Sequence, residues 1–285
     1  MAHTDAELLA ASDHLSASFY RTSARFPWAT VHDEPDVIHG TTGIPLEVFN
    51  GASCARFEPA TADARIEQVL ALYREQRIDM SWMVGPTSTP ADLARRLEGH
   101  GLVLDEILPV LGMNLGTWRS DPPADGLELE WVADRASFDE ATRVMFAGFG
   151  MPDAIFDAFA DRFSMIVLEP GSSQRVVIVR LDGRPISTAL GAIDDGVVGV
   201  YNVATVPTAQ RRGGASAATM AVIDDAIGRG ASGAILQTSN AGRKVYERIG
   251  FHDVGTVTIM AGRFGRGSPG LGNLPPARGA SPPST

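Results

Sequence analysis

Cysteine is nearly absent from this 285-residue chain, where Cys54 stands alone. An intramolecular disulfide is therefore excluded, and so is a zinc site built from cysteines. Lysine is equally scarce. Lys244 is the single one, so the 24 basic residues are almost all arginine, against 34 acidic residues and a formal net charge of -10. This balance lacks the basic surface that nonspecific binding to nucleic acid or anionic membrane needs, although it leaves room for a local basic patch. No stretch reaches the ~18 consecutive apolar residues that suggest a membrane span. The N-terminus lacks the basic region and apolar run of a secretory signal. The histidines (His3, His14, His32, His39, His100, His252) show no metal-ligand spacing such as HExxH. His32 and His39 are expected in a solvated loop, and no metal is expected.

What is present is ordinary for a folded protein: 44% hydrophobic and 20% charged residues. That rules out wholesale disorder, and the length suits two domains. The expectation is a cytoplasmic protein, monomer or homodimer. Abundant Ala, Gly, Arg and Asp with almost no Lys suggests a high-GC bacterial source.

Two breaks organise the chain. Residues 119–126, Arg-Ser-Asp-Pro-Pro-Ala-Asp-Gly, read as a linker. Residues 263–285 are dominated by Gly, Pro, Ser and Ala without a periodic apolar face, and are expected to form a disordered tail. Domains are thus expected at 1–118 and 127–262. In the second, Leu127–Val132 alternates as a strand does, and Ala136–Ala147 and Asp153–Phe163 have helical spacing, with Asp153 expected as a helix N-cap. Strands follow at Arg175–Leu181 and Ile186–Ile193, the latter closed by the hairpin signal Asp194-Asp195-Gly196. Val197–Val206 reads as a central strand. Met220, Ile223 and Ile227 mark one face of a helix ending at Gly230. Ala234–Thr238 is a short strand, Gly242–Ile249 a helix capped by Gly250, and Phe251–Ala261 a closing strand.

Between the central strand and the next helix lies Gln210-Arg211-Arg212-Gly213-Gly214-Ala215. A first helical turn leaves backbone N–H groups unpaired, and the helix dipole adds positive potential there. Glycines let the backbone approach an anion, and arginines add charge and bidentate hydrogen bonds. Together these residues suit a pyrophosphate. The segment is neither a Walker A loop nor GxGxxG.

It does resemble the Q/R-x-x-G-x-G/A signature of the GCN5-related N-acetyltransferases, the GNAT family. Tyr246-Glu-Arg-Ile-Gly-Phe251 is similar to the family's downstream Tyr-x-x-x-Gly-Phe, and the resemblance covers about 127–262. It implies an α/β (α+β) fold: a mixed, mostly antiparallel sheet flanked by helices, here as two GNAT-like domains in tandem. It implies acetyl-CoA as acyl donor, with Gln210, Arg211, Arg212, Gly213, Gly214 and Ala215 at the pyrophosphate. Backbone groups of Val203 and Thr205 would meet the pantetheine arm, the Val203 N–H would face the thioester carbonyl, and Tyr246 would act as general acid. Where family members carry an Asn on the coenzyme arm, this chain has Ser239 with Asn240 beside it, and either could serve. Strand alternation would place Val197, Gly199 and Tyr201 on the face of Val203, with no carboxylate among them. The base is left open between water, a backbone carbonyl, Tyr201 and an acid from elsewhere such as Asp153.

The first half resembles a degenerate copy. Trp82–Pro86 reads as a strand and Asp92–His100 as a helix, with Thr89 as N-cap and Pro90 at its first position. The helix around Ile66, Val69, Leu70 and Tyr73 precedes them. Gly101-Leu102 matches Gly250-Phe251, and Leu97 takes the place of Tyr246. No glycine-rich signature is present, and Glu58 and Asp63 would repel a pyrophosphate. An unrelated α/β lid is the other reading of this half.

The resemblance implies an N-acetyltransferase that moves acetyl from acetyl-CoA to a primary amine of a small molecule, or of a protein N-terminus or side chain, by direct attack. The alternatives are a same-fold transferase using a longer acyl-CoA or aminoacyl-tRNA, and a non-catalytic acyl-CoA sensor or scaffold. Acidity weighs against tRNA and, weakly, favours a cationic amine.

Overall fold

The computed structural model describes residues 2–44, 46–239 and 242–265. The first part of the chain forms α1 (Asp5–Ser23), β1 (Thr30–Glu34), β2 (Val37–Thr41) and a 3-10 turn at Glu47–Phe49. Then come β3 (Asn50–Ser53), α2 (Ala62–Gln76), β4 (Met80–Val84), α3 (Leu93–Gly99) and β5 (Val103–Asn114). The second part forms β6 (Leu127–Trp131), α4 (Arg135–Phe149), α5 (Phe156–Val167), β7 (Gln174–Leu181), β8 (Arg184–Asp194) and β9 (Val197–Thr205). It closes with α6 (Gly214–Gly228), β10 (Gly233–Gln237), α7 (Arg243–Ile249) and β11 (His252–Gly262). The order from β1 to β5 repeats from β7 to β11.

Local chemistry explains many of the ends. A reciprocal pair starts α1: the Glu7 N–H donates to Thr4 Oγ1, and the Thr4 N–H donates to the Glu7 carboxylate at 2.7 Å. Asp134 accepts from the Ser137 N–H at 2.8 Å and caps α4. Gly250, at φ 117°, ends α7 in the left-handed region. Along α7, Arg243 donates to Glu247 at 2.6 Å.

Among the described residues the strands form one eleven-stranded mixed sheet in the order β1-β2-β3-β4-β11-β5-β10-β9-β8-β7-β6. β3 runs parallel to β4 and β10 parallel to β9, while the other pairs are antiparallel. The last strand of each repeat is exchanged. β5 pairs with β10 of the second repeat, and β11 pairs with β4 of the first. The two exchanged strands pair with each other from His252↔Gly112 to Ala261↔Val103. The sheet is therefore continuous across the two halves, and residues 119–124 between them carry no strand or helix.

The core divides by face. α6 covers one face of the second half through Ala218, Val222 and Ile223 against Val177, Val179, Val198 and Val200. α4 and α5 cover the other with a phenylalanine cluster, including Phe138, Phe146, Phe159 and Phe163, against Val176, Ile178, Leu190 and Ala204. α1 crosses from the first repeat to pack Leu8, Ala11 and Leu15 on Val197 and Ile235. α2 and α3 cover the first-repeat strands around Trp82, Tyr73 and Leu70.

Several local expectations are corrected. Helix α3 begins at Leu93 with Asp92 at its cap, while Thr89 Oγ1 donates to the Phe57 carbonyl and does not cap the helix. Asp153 opens a 3-10 turn with no side-chain cap bond, and α5 starts at Phe156. Helix α6 ends at Gly228, two residues before Gly230, and Ile227 lies exposed beyond its buried stripe. His32 and His39 lie on strands, facing each other across β1 and β2. Of the expected tail, Arg263 pairs with Asp105 and Glu47, Phe264 packs beside Met80, and the Gly265 N–H donates to Asp79 Oδ1. Residues 266–285 lie outside the described residues.

Candidate active site

The site forms where β9 and β10 part. Their parallel pairing runs only through Gly233↔Val197, Ala234↔Val198 and Ile235↔Gly199. Beyond Gly199, β9 has no β10 partner. The Val206 N–H donates to the Ile186 carbonyl at 2.9 Å. By the alternation of an antiparallel ladder, the N–H and C=O of Thr205 then point away from β8, into the gap. Thr205 is fixed there, because Ser187 Oγ donates to the Ala204 carbonyl at 2.7 Å and meets Thr205 Oγ1 at 2.8 Å.

β9 is not a regular strand. Leu190 pairs with Tyr201 and Thr188 with Ala204, so Asn202 and Val203 together oppose Ala189. Asn202 has φ 52°, a left-handed conformation that Asn tolerates better than most residues. This bulge reverses the alternation. Val203 packs with Val198 and Val200 against the α6 side, while Tyr201 joins the α1 and α5 side. The expectation that Val203 shares a face with Val197, Gly199 and Tyr201 therefore fails.

At the far end of the gap stands the N-terminus of α6. Arg211 has φ 64° and Gly213 φ 82°, so the chain turns twice through the left-handed region before the helix. Such a turn concentrates N–H groups on one side. No side chain caps α6. Arg211 and Arg212 are exposed, and no ion pair engages either among the described residues. The two glycines have different reasons. Gly213 serves the positive φ. At Gly214 a Cβ would lie 2.9 Å from Ser187 Cβ, so its absence lets α6 approach β8. Gln210 is exposed, and Ala215 lies half-buried in the first turn. The equivalent helix start in the first repeat, α2, differs. Asp63 occupies its first turn and is held by Arg96 at 2.5 Å and His100 at 3.1 Å.

A cavity of about 680 Å³ occupies the gap, and Val203, Ser239, Gly242 and Tyr246 line it from the second repeat. Gly148 of α4 lies beside it. A Cβ there would come within 3.1 Å of the Thr205 backbone nitrogen. Ser239 accepts from Gly242 and Arg243 N–H groups through its carbonyl, at 3.0 and 3.2 Å. Asn240 lies outside the described residues. Tyr246 is half-buried, edge-on to Phe251 with ring centres 6.3 Å apart. Burial pushes its phenol up to about 12, so it carries its proton at neutral pH.

The first repeat supplies what the sequence of the second lacks. β10 pairs with β5 as far as Val110 and the Thr238 N–H still reaches the Pro109 carbonyl, so residues 103–108 of β5 extend past its end. Glu106 from this overhang lines it, with Leu108 and with Val48 and Phe49 of the 3-10 turn. Desolvation, and then the neighbouring Asp105 carboxylate, raise the Glu106 pKa above its ordinary 4.5. No local pattern marks Glu106, because strand exchange alone brings it here. Asp153 is not among the residues lining the cavity.

A second titratable group lies far off, at the sheet edge. Ligand atoms of His32, Glu34 and His39 lie within 4.8 Å of one another. Arg65 already pairs with the Glu34 carboxylate and also holds Asp36 at 2.8 Å, so a guanidinium sits where a cation would gain most.

Residues 118–241 match a family model described as an acetyltransferase (GNAT) domain. No curated protein matches the chain. Among solved structures, a GCN5-related N-acetyltransferase from Kribbella flavida is 21% identical with TM-score 0.70, over 87% of this chain and 93% of that one. One from Sphaerobacter thermophilus is 15% identical with TM-score 0.61, over 94% and 96%. A tandem GNAT protein from the clavulanic acid biosynthesis pathway is 11% identical with TM-score 0.59, over 94% and 98%. No helix among the described residues is long and apolar enough to cross a membrane. The repeated element order, the parted parallel strands and these likenesses agree: the chain has the GNAT acetyltransferase fold, built as tandem GNAT proteins are.

Proposed function

We propose that the protein is an N-acetyltransferase that moves the acetyl group of acetyl-CoA to a primary amine of a small molecule by direct attack. The observations that carry this reading are the cavity on which Val203, Ser239 and Tyr246 converge with Glu106, and a start of α6 with uncapped amides and two arginines that make no ion pair among the described residues.

The roles follow from chemistry. The amides and side chains of Gln210 to Ala215 would hold the pyrophosphate. The free edge of β9 at Val203 and Thr205 would receive the pantetheine arm, with Ser239 or Asn240 opposite. Acetyl-CoA, when bound, supplies the activated thioester. The Val203 N–H would hold its carbonyl oxygen as negative charge develops there. Glu106 would take the proton of the attacking amine, a task suited to a carboxylate whose pKa is raised toward neutrality. Tyr246, protonated at neutral pH, would give its proton to the departing thiolate. In this proposal the second repeat, 127–262, carries the coenzyme, and the first repeat contributes Glu106 and one wall of the acceptor site.

The test is release of free thiol from acetyl-CoA with a panel of amines. The expected result is amine-dependent thiol release with an acetylated amine as product. Tight acetyl-CoA binding without transfer to any amine would instead make the protein a sensor or scaffold.

A further inference from the structure

The 3-10 turn and the overhang of β5 are the walls that the first repeat gives the cavity, and one side chain ties them together. Glu47 opens the turn whose Val48 and Phe49 line the cavity. Asp105 precedes Glu106 on the overhang. Arg263, the first residue after β11, donates to both carboxylates, to Glu47 through Nη1 and to Asp105 through Nη2 at 3.3 Å. A planar guanidinium fork suits this bridge, whereas a lysine offers a single point charge. Glu47 is buried, where a carboxylate persists only when it is paired and hydrogen-bonded.

The overhang is weakly held by its own ladder. Among the described residues, 103–108 of β5 have β11 on one edge and no strand on the other. The ladder with β11 is also interrupted there. Ile259 opposes Glu106 and Met260 opposes Leu104, so Asp105 is an extra residue with no opposite number. Such a bulge bends its strand and re-aims the neighbouring side chain. Arg263 grips the bulged residue itself.

We infer that Arg263 is a positioning residue of this active site: by clasping Glu47 and Asp105 it fixes the bulged stretch of β5 that presents Glu106 to the cavity. The inference rests on the reading of Glu106 as the base of acetyl transfer, although the effect of Arg263 on Glu106 is measurable without catalysis. Desolvation first, and then the Asp105 charge on the same strand, disfavour ionisation of Glu106. Glu47 stands on the turn, and Arg263 at the end of β11 pairs with both carboxylates. The other titratable groups lining the cavity, among the described residues, are Tyr201 and Tyr246, which burial keeps protonated at neutral pH. Without Arg263 the Asp105 charge beside Glu106 is uncompensated, and Glu106 is harder to ionise.

The test follows the Glu106 carboxyl carbon by NMR in the full chain with labelled glutamate, its signal identified by its loss in Glu106→Gln, alongside steady-state kinetics. In Arg263→Gln the Glu106 titration midpoint should rise by roughly 0.3–0.7 pH unit, and Arg263→Lys, which keeps the charge, should restore it. In Arg263→Gln, kcat/KM for the amine should fall roughly three- to tenfold. The same change made in Glu106→Gln should lower it by less than about twofold, because the two residues act through one carboxylate. The acetyl-CoA KM should stay unchanged in each case. Glu47→Gln combined with Arg263→Gln removes the buried charge that the single change strands, and gives the same reading if the single variant fails to fold. An unmoved midpoint, equal losses in both backgrounds, or a rise in acetyl-CoA KM would overturn the inference. Failure of the underlying reading looks different. Full activity in Glu106→Gln with a shifted midpoint in Arg263→Gln removes Glu106 as base and keeps the clasp. Lost activity in Glu106→Gln with an unmoved midpoint in Arg263→Gln keeps the base and removes the clasp.

Discussion

The ring of Tyr201 lies back over Gly199, so closely that a Cβ on Gly199 would stand 2.3 Å from the ring edge and 2.6 Å from the hydroxyl oxygen. Gly199 is also the last residue of β9 that pairs with β10. One glycine thus marks the parting of the strands and seats a ring that lines the cavity. Gly199→Ala is expected to push the Tyr201 ring out of place, at a cost of about 1–3 kcal/mol in stability. The KM for the amine should rise more than that for acetyl-CoA. Denaturant unfolding and steady-state kinetics on both substrates check this. An unchanged amine KM would mean that Tyr201 does not border the acceptor path.

In the proposed reaction Glu106 takes a proton from the amine and Tyr246 gives its own to the departing thiolate, so their variants should differ with pH. Tyr246→Phe should lower kcat roughly 10²-fold with little change in acetyl-CoA KM. Glu106→Gln should lower kcat/KM by a similar factor. In the wild type a carboxylate must be ionised to accept a proton, so activity should fall as pH drops through a pKa above the ordinary 4.5. That acid limb should vanish in Glu106→Gln. A profile whose acid limb is the same in both proteins would remove Glu106 from the role of base.

The α6 entrance should control coenzyme affinity alone. Arg211→Ala and Arg212→Ala are each expected to raise acetyl-CoA KM roughly three- to tenfold at low salt, and less at high salt, with kcat kept. Gly214→Ala acts through packing, since its Cβ would press on Ser187. It should cost about 1–3 kcal/mol of stability and raise the same KM. Kinetics at two ionic strengths separate charge from packing.

The lone thiol should not disturb a thiol-release assay. Cys54 Sγ donates to the Asp13 carbonyl at 3.2 Å, and burial first, then the Asp13 charge, push its pKa up to about 11. At pH 8 only on the order of one molecule in a thousand carries the thiolate. The enzyme blank with a disulfide reagent should therefore stay flat over minutes in native buffer and reach one thiol per chain in denaturant.

Acid stability should depend on His39. Burial, and then the neighbouring His32, depress its pKa from 6.5 to about 4. The unfolded chain binds the proton near 6.5 and the folded chain does not, so this contribution is complete above 6.5 and is lost as pH falls toward 4. His39→Gln should reduce the drop in Tm between pH 7 and 4.5 by about 3–5 °C relative to wild type.

Much of the fold was legible in the chain because it rests on neighbouring residues. The alternation of β6, the turn at Asp194-Asp195-Gly196, the Arg243–Glu247 pair and the Gly250 cap depend on contacts one to four residues apart. So does the helix start after Gln210-Arg-Arg-Gly-Gly, where unpaired amides follow from helix geometry itself. The sequence by itself thus determined the element order of the second repeat, and with it the uncapped start of α6 and the position of Tyr246 on α7. Only the tertiary structure decided the rest. The bulge at Asn202 turns on one extra residue in a register, which alternation cannot reveal, yet it moves Val203 to the opposite face from Tyr201. Glu106 enters the cavity because β5 crosses to β10 and outruns it, a pairing between segments more than a hundred residues apart. The clasp of Arg263 on Glu47 and Asp105 likewise joins residues that lie far apart in the chain. The formal charge of -10 therefore says little about the ligand, since net charge sums over the whole chain while recognition depends on the few groups that packing brings together.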